Sequence, residues 1–275
     1  MACQHRCERG FPASDIACYS DVHAKGGYFY KVGKIIVNLQ SENDLFMLHS
    51  HIFQFNPLGT NCVVLWTEGN PSCTLADPGM SYRESVETLL EFLDKNGLVP
   101  ASILLTHGHF DHVWGVAPLL KVFQVPVYMH PADRNILLDG GSVFKGMPSF
   151  KAFKHDFATV DIADGDVLHA GGTSWTVIHT PGHTPGSVCY WSKENHLLLS
   201  GDTLFAGSIG RTDLGGGDYD QLMDSLLKKV MTLPGETDVI PGHGQPTDIA
   251  REGQCNPFLL PFNEPEGIVF PPDNS

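Results

Sequence analysis

Basic residues are scarce in this chain: 17 Lys and Arg stand against 31 Asp and Glu in 275 residues, a formal net charge of −14. A surface with that surplus favours solubility and repels phosphate backbones, so no nucleic-acid partner is expected. Long apolar runs are missing as well. No stretch approaches the roughly 18 apolar residues of a membrane span, and the first residues hold no apolar segment of about seven or more, as a secretory signal would. Neither a membrane nor an export route is expected, and the cytoplasm is the expected location. Cysteine is sparse and odd in number, seven in all, which does not read as a disulfide framework. Cys62, Cys73 and Cys189 fall in strand-like segments and read as buried free thiols. No internal repeat stands out in residue identity.

What the chain does have is a concentration of histidine and aspartate. His107-Gly-His109-Phe-Asp111-His112 follows the apolar run Ile103-Leu104-Leu105. If the chain stays extended after that strand, His107 and His109 fall at alternate positions and face the same side. The wider apolar spacing of Val113, Val116, Leu119 and Leu120 predicts a helix from about Asp111 to Val122, turning Asp111 and His112 towards a second metal. Neutral imidazole and carboxylate are the ligands that a zinc-like ion takes.

Three further candidates repeat that context. His183 lies in Thr-Pro-Gly-His-Thr-Pro-Gly, Asp202 in Leu-Leu-Leu-Ser-Gly-Asp-Thr and His243 in Val-Ile-Pro-Gly-His-Gly, each after a strand-like run and in a glycine-containing turn. Such turns can hold a side chain at the lip of a sheet. The set H-x-H-x-D-H, then H, D and H, resembles the metallo-β-lactamase superfamily, and the likeness runs from about Phe53 to about Ile249. The resemblance implies that His107, His109 and His183 hold one metal ion and that Asp111, His112 and His243 hold a second, with Asp202 bridging. It implies two divalent ions, zinc first, with iron or manganese as the other choices. Asp77, in Leu-Ala-Asp-Pro-Gly, matches a family position that orients a ligand by hydrogen bonding; an ordinary turn residue is the alternative reading of its local sequence.

Residues 1–46 differ from the rest. They hold Cys3, Cys7 and Cys18, show no sustained periodicity, and carry five basic and five acidic residues. They are expected to form a poorly ordered or peripheral extension; a small metal site from Cys3, His5, Cys7, Cys18 and His23 fits no finger spacing closely. Residues 47–275 are expected to form the hydrolase domain. Within it, Ser81-x-x-Glu84 predicts a capped helix ending before Asn96-Gly97, Asp218-x-x-Gln221 predicts another, and Val125-Pro-Val-Tyr-Met129 reads as an edge strand. The segment from Gly140 to about Asp156 is a candidate loop over the site, offering Phe144, Lys145, Met147 and Phe150 as substrate contacts. By pattern alone the class is α/β with a mixed sheet. The resemblance sharpens this to a four-layer αβ/βα sandwich, two mixed β-sheets with helices on the outside.

Two metal ions about 3.5–4 Å apart can share a hydroxide and act as Lewis acids on a carbonyl. Asp111 and Asp202 are the catalytic candidates, Asp202 by bridging the ions and Asp111 by also accepting a hydrogen bond from the hydroxide. A thiol leaving group with a pKa of about 8.5 needs no general acid, whereas an amide nitrogen does, and no spare acid is assigned. In the antibiotic-hydrolysing branch the position of Asp202 is commonly Cys. The flavodiiron branch carries a flavodoxin domain, and typically a Glu where His109 stands. Gly201-Asp202-Thr-Leu-Phe205-x-Gly-Ser-Ile-Gly210-Arg211-Thr-Asp213 looks most like the glyoxalase-II-like branch. Arg211 there matches a basic residue that contacts a glutathione carboxylate, a task suited to a guanidinium; a salt bridge with Asp213 or Asp218 is its structural alternative. Glyoxalase II proper adds a C-terminal helical domain, and only 32 residues follow His243, so the likeness is to the single-domain hydrolases. The expected reaction is hydrolysis of a small-molecule thioester such as S-lactoylglutathione. The alternatives are a mononuclear iron persulfide dioxygenase, a lactonase of the same fold, and a metal-binding module without activity.

Overall fold

The computed structural model describes residues 17–25, 28–36, 47–80, 83–139 and 156–260. The first half of the chain runs β1 (Ala17–Lys25), β2 (Tyr28–Ile36), β3 (Leu48–Gln54), β4 (Asn61–Thr67), β5 (Ser72–Ala76), α1 (Arg83–Lys95), β6 (Val99–Leu104), α2 (Phe110–Val113), α3 (Val116–Leu120), β7 (Val127–Met129), the 3₁₀ turn Pro131–Asp133, α4 (Arg134–Asp139) and β8 (Val160–Asp161). The second half runs β9 (Val167–Ala170), β10 (Thr173–His179), β11 (Val188–Ser192), β12 (Leu197–Gly201), β13 (Leu204–Phe205), β14 (Ser208–Ile209), α5 (Tyr219–Lys228), the 3₁₀ turn Val230–Thr232, β15 (Asp238–Pro241), β16 (Thr247–Asp248) and α6 (Ile249–Cys255). Among the described residues, β1 to β8 form one sheet in sequence order, and a second sheet runs β16-β15-β12-β11-β10-β9. β13 and β14 pair as a separate ribbon. No helix among the described residues is long and apolar enough to cross a membrane.

Period-two alternation explains the layering. Along β4, Cys62 and Val64 pack with Leu89 and Leu93 of α1 and with Val113, Val116 and Leu119, which forms an outer core on the first sheet. Val63 and Leu65 point the other way and meet Trp175, Val177, Val188, Tyr190, Leu197, Leu199 and Ile240 of the second sheet. On the far face of that sheet, Cys189, Leu198 and Val239 pack against Leu222, Met223 and Leu226 of α5. Helix, sheet, sheet and helix therefore stack as the four expected layers. Cys62, Cys73 and Cys189 are buried free thiols, with burial pushing the Cys62 thiol above the usual range. α5 is capped as its sequence predicts, with the Asp218 carboxylate accepting from the Gln221 backbone N–H at 3.0 Å.

Two expectations are corrected. The helix read from Asp111 to Val122 is two short helices, because the Gly115 N–H donates to Pro78 O at 2.7 Å and the Asp111 carbonyl instead accepts from Asn56 Nδ2 at 3.0 Å. A side chain at Gly115 would lie 2.4 Å from Pro78 O, so the break depends on glycine. The strand around Pro126 is interior: β7 begins after that proline and pairs with β6 on one side and β8 on the other, while Pro126 offers its carbonyl to the Ile103 N–H. Within the extension, residues 17–25 and 28–36 form strands at the edge of the first sheet. β1 and β2 pair antiparallel, and β2 continues onto β3, as the β-branched and aromatic residues of Tyr28-Phe-Tyr-Lys-Val-Gly-Lys-Ile-Ile36 suit. Ser81, Tyr82 and residues 140–155, the predicted helix cap and most of the candidate loop, lie outside the described residues, as do the side chains of the proposed cysteine cluster.

The topology sends the functional turns to one edge. β5 and β6 run parallel, as do β12 and β15, while β10 and β12 both run antiparallel to β11. The C-terminal ends of these strands consequently open together. The two sheets are stitched at that edge: Val188 N–H donates to Thr106 O at 2.8 Å and Asn61 N–H to Gly242 O at 2.7 Å, and the buried Tyr190 hydroxyl donates to Leu105 O at 2.8 Å. Tyr190→Phe leaves that carbonyl without its partner, so it should cost about 1–3 kcal/mol. A urea midpoint unchanged from wild type would show that the inter-sheet bond carries nothing.

Candidate metal centre

The extended turn after β6 does what alternation predicts. His109 has φ −65° and ψ 143°, and His107 Nε2 lies 3.0 Å from His109 Nδ1. His183, carried by the turn after β10, brings its Nε2 to 2.9 Å from the same His109 nitrogen. The first turn of α2 swings Asp111 and His112 aside to meet His243 from the turn after β15. His243 Nε2 is 3.3 Å from His112 Nε2 and 3.3 Å from Asp111 Oδ2. Asp202 stands between the groups: its Oδ2 is 3.5 Å from His183 Nε2 and 3.4 Å from His243 Nε2, and its Oδ1 is 3.5 Å from His112 Nε2. The sets His107/His109/His183, His107/His112/Asp202 and Asp111/His112/His243 each hold their ligand atoms within 4.8 Å of one another. All seven residues singled out from the sequence therefore converge.

The other face of four imidazoles is fixed. Asp77 adopts a left-handed φ of 45°, which folds its carboxylate over the end of β6. There Oδ1 accepts from the Thr106 N–H at 2.8 Å, and Oδ2 accepts from the Thr106 hydroxyl at 2.6 Å and from His112 Nδ1 at 2.9 Å. Because the Thr106 hydroxyl gives its single proton to Asp77, it accepts from His107 Nδ1 at 3.1 Å. His183 Nδ1 donates to Arg211 O at 2.7 Å, and His243 Nδ1 to Leu58 O at 3.0 Å. With Nδ1–H engaged, Nε2 of each of these rings is left with a lone pair facing inward, the arrangement that suits metal ligation. Asp77 thus contacts His112 directly. Asn56, Thr60, Thr106 and Asp133 were not singled out from the sequence. Thr60 donates to Asp111 Oδ2 at 2.8 Å, and Asn56 Oδ1 accepts from the Leu58 and Thr60 N–H groups. Single polar residues in a turn give no sequence signal of this kind, since their importance arises from contacts across the fold.

The electrostatics separate into two parts. Burial holds His107 well below the usual imidazole range, reinforced by neighbouring His112 and His109, and burial with nearby His183 lowers His109 to about 3. Both stay neutral and able to ligate. Burial works against charge on Asp111, yet His112 and His243 hold it down at about 2, and the same two histidines hold Asp202 well below the usual carboxylate range against its burial. Burial opposes charge on His112 and His243 too, but the carboxylates outweigh it and raise both. The second part of the site accordingly attracts positive charge. The residues fit divalent metal on a separate ground: Asp202 Oδ1 is buried with no hydrogen-bond partner, and a side chain at Gly242 would fall 2.1 Å from it, so the backbone leaves that oxygen a free approach.

Arg211 stands at the rim. Its carbonyl holds His183, while its exposed guanidinium makes two 2.7 Å bonds to Asp213; the salt bridge weighed as its alternative is present. Phe144, Lys145, Met147 and Phe150 lie outside the described residues.

The sequence model described as metallo-beta-lactamase superfamily matches residues 55–243. The chain belongs to that superfamily. Among its metallo-beta-lactamase relatives, a Haemophilus influenzae protein named hydroxyacylglutathione hydrolase GloC is 34% identical over 202 residues, covering 72% of this chain and 92% of that one. The crystal structure of the BLEG-1 B3 metallo-beta-lactamase superposes with a TM-score of 0.67 at 39% identity, over 76% of this chain and 99% of that one. TTHA1623, solved in a di-iron-bound form, gives a TM-score of 0.66 at 39% identity, over 75% and 98%. The metallo-beta-lactamase fold and its metal-binding cluster make this chain a metallo-hydrolase. Removing bound metal leaves two buried carboxylates without their cation, so chelation should lower stability. At metal concentrations about 100-fold above Kd the loss is about 2.7 kcal/mol, or about 5–10 °C in Tm for a domain of this size. A Tm unmoved by chelator and by added zinc would show that no ion contributes.

Proposed function

We propose that this chain hydrolyses small-molecule thioesters at a centre of two divalent metal ions, with His107, His109 and His183 holding one, Asp111, His112 and His243 the other, and Asp202 shared. The observation that carries the reading is the place of Asp202, within 3.5 Å of His183 on one side and of His112 and His243 on the other. Bound there, such ions supply a water of lowered pKa and a Lewis acid for the developing oxyanion. The protein's own part is positional. Thr60 orients the Asp111 carboxylate, leaving it able to accept a hydrogen bond from an attacking water, and Asp77 keeps the His112 ring in one tautomer. The inward residues are already engaged as ligands, which leaves no spare acid among them to protonate an amine. A thiolate leaves without one near neutral pH, and this favours a thioester over an amide.

Arg211 supports an anionic substrate. Its partner Asp213 is exposed, and solvent screens an ion pair of this kind, so a substrate carboxylate can take Asp213's place with little loss. Zinc is the first choice of metal; iron is supported by the di-iron form of TTHA1623.

The test is thiol release from S-D-lactoylglutathione under anaerobic conditions by protein loaded with zinc or iron in turn. Turnover in the ordinary range of about 1–10³ s⁻¹, abolished in Asp202→Ala along with much of the metal content, is the expected result. Full activity in that variant would end the shared-carboxylate reading. Cleavage of a β-lactam or lactone with no thioester turnover, or oxygen uptake with a persulfide by the iron form, would replace the reaction. Arg211→Ala should raise KM several-fold for the anionic thioester and leave a neutral thioester unchanged; equal effects on both would remove its role.

A further inference from the structure

Asp133 plays no part in the chemistry above, yet its placement is unusual. It ends the 3₁₀ turn after β7, is fully buried, and among the described residues pairs with no Lys or Arg. Its carboxylate is spanned by donors from two different turns. Oδ2 accepts from the Gly108 N–H at 2.8 Å and from the Thr184 hydroxyl at 2.7 Å, and Oδ1 accepts from the Gly186 N–H at 2.6 Å. Gly108 sits between His107 and His109, and Thr184 follows His183. One anion thus joins the two turns that carry all the imidazoles of the three-histidine cluster, and the 3.0 and 2.9 Å nitrogen separations there depend on how those turns lie against each other.

The backbone is shaped for this contact. A side chain at Gly108 would come within 3.0 Å of Asp133 O and 3.1 Å of its Cβ, and one at Gly186 within 2.7 Å of its carboxyl carbon. Both turns carry glycine where they close on the carboxylate. An ionised carboxylate only accepts, and all three groups reaching it donate. Asparagine would turn an N–H₂ towards at least one N–H or O–H, and alanine would leave three buried donors unpaired. Burying an unpaired anion is costly, so a tether of mere mechanical use would be served more cheaply by a neutral residue.

We infer that Asp133 is a positioning residue for the three-histidine metal site, setting the spacing of His107 and His109 against His183 through Gly108, Thr184 and Gly186. The inference rests on the two-metal reading proposed above. Supporting groups of this kind alter metal affinity by about 10–100-fold, and the effect belongs to one site of the pair, since no donor to Asp133 comes from the turns of Asp111, His112 or His243.

The test is metal titration of apo-protein, followed by cobalt(II) absorption and by competition with a chromophoric chelator, with no substrate present. Wild type should take up two equivalents. Asp133→Asn should keep one at wild-type affinity and bind the other about 10–100-fold more weakly, with altered cobalt bands for that equivalent alone. Thr184→Val, close in shape but without the hydroxyl that donates to Asp133 and also meets Ser187 Oγ at 2.7 Å, should weaken the same equivalent by a smaller factor, and Thr184→Ser, which keeps both contacts, should restore it; this pair decides the question should Asp133→Asn fail to fold. Both equivalents binding as in wild type in Asp133→Asn, or in Thr184→Val where only that protein folds, would overturn this assignment and leave the metal reading intact. Wild type taking up no metal would overturn both.

Discussion

Two carboxylates buried among five imidazoles set the terms for everything around them. Asp111 and Asp202 are kept ionised in a place where water cannot solvate them well, and an arrangement of that kind persists only if positive charge is held there and the remaining polar atoms are satisfied. The surrounding structure meets this demand by giving the outer side of the ligands a fixed partner: Thr60 for Asp111, Asp77 for His112, Thr106 for His107, and main-chain carbonyls for His183 and His243. The inward atoms are left to share a cation. Chemistry follows from what is withheld as much as from what is supplied, because residues committed to ligation are not free to act as acids.

Much of this was legible in the chain. The ligands could be named because histidine and aspartate recur after apolar runs in glycine-containing turns, a local pattern. β4 could be read as a strand, and the side-chain alternation that splits it between two cores is also local. What could not be read was contact between distant segments. Asn56, Thr60 and Asp133 look like ordinary turn residues until the fold brings them to Asp111, Gly108 and Thr184. The same limit explains the misread helix after His109. Its apolar spacing continues through Val116 and Leu119, but tertiary bonds from Asn56 and Pro78 take over the backbone groups that a continuous helix would use. Pro126 predicts an edge position for β7, but the proline stands just outside the ladder, where its missing N–H does no harm.

Specificity is written more thinly than chemistry. The cluster belongs to a superfamily whose members act on quite different substrates, as the names of the relatives show, and fold alone does not choose among them. In this chain the rim residue Arg211 does two unlike things: its carbonyl orients His183, and its guanidinium faces solvent on Asp213. Side-chain variation at this position leaves the main-chain bond to His183 in place.

The partners at this edge lie far apart along the chain. His112 meets His243 across 131 positions, and Asn61 reaches Gly244 across 183. Asp111 and His112 sit on a helix of four residues, far too short to hold its shape alone. The centre therefore has no independent existence in any fragment of the chain, and contacts of such long range form slowly because their loops must close first. A nascent or partly unfolded chain carries the same histidines with none of their geometry.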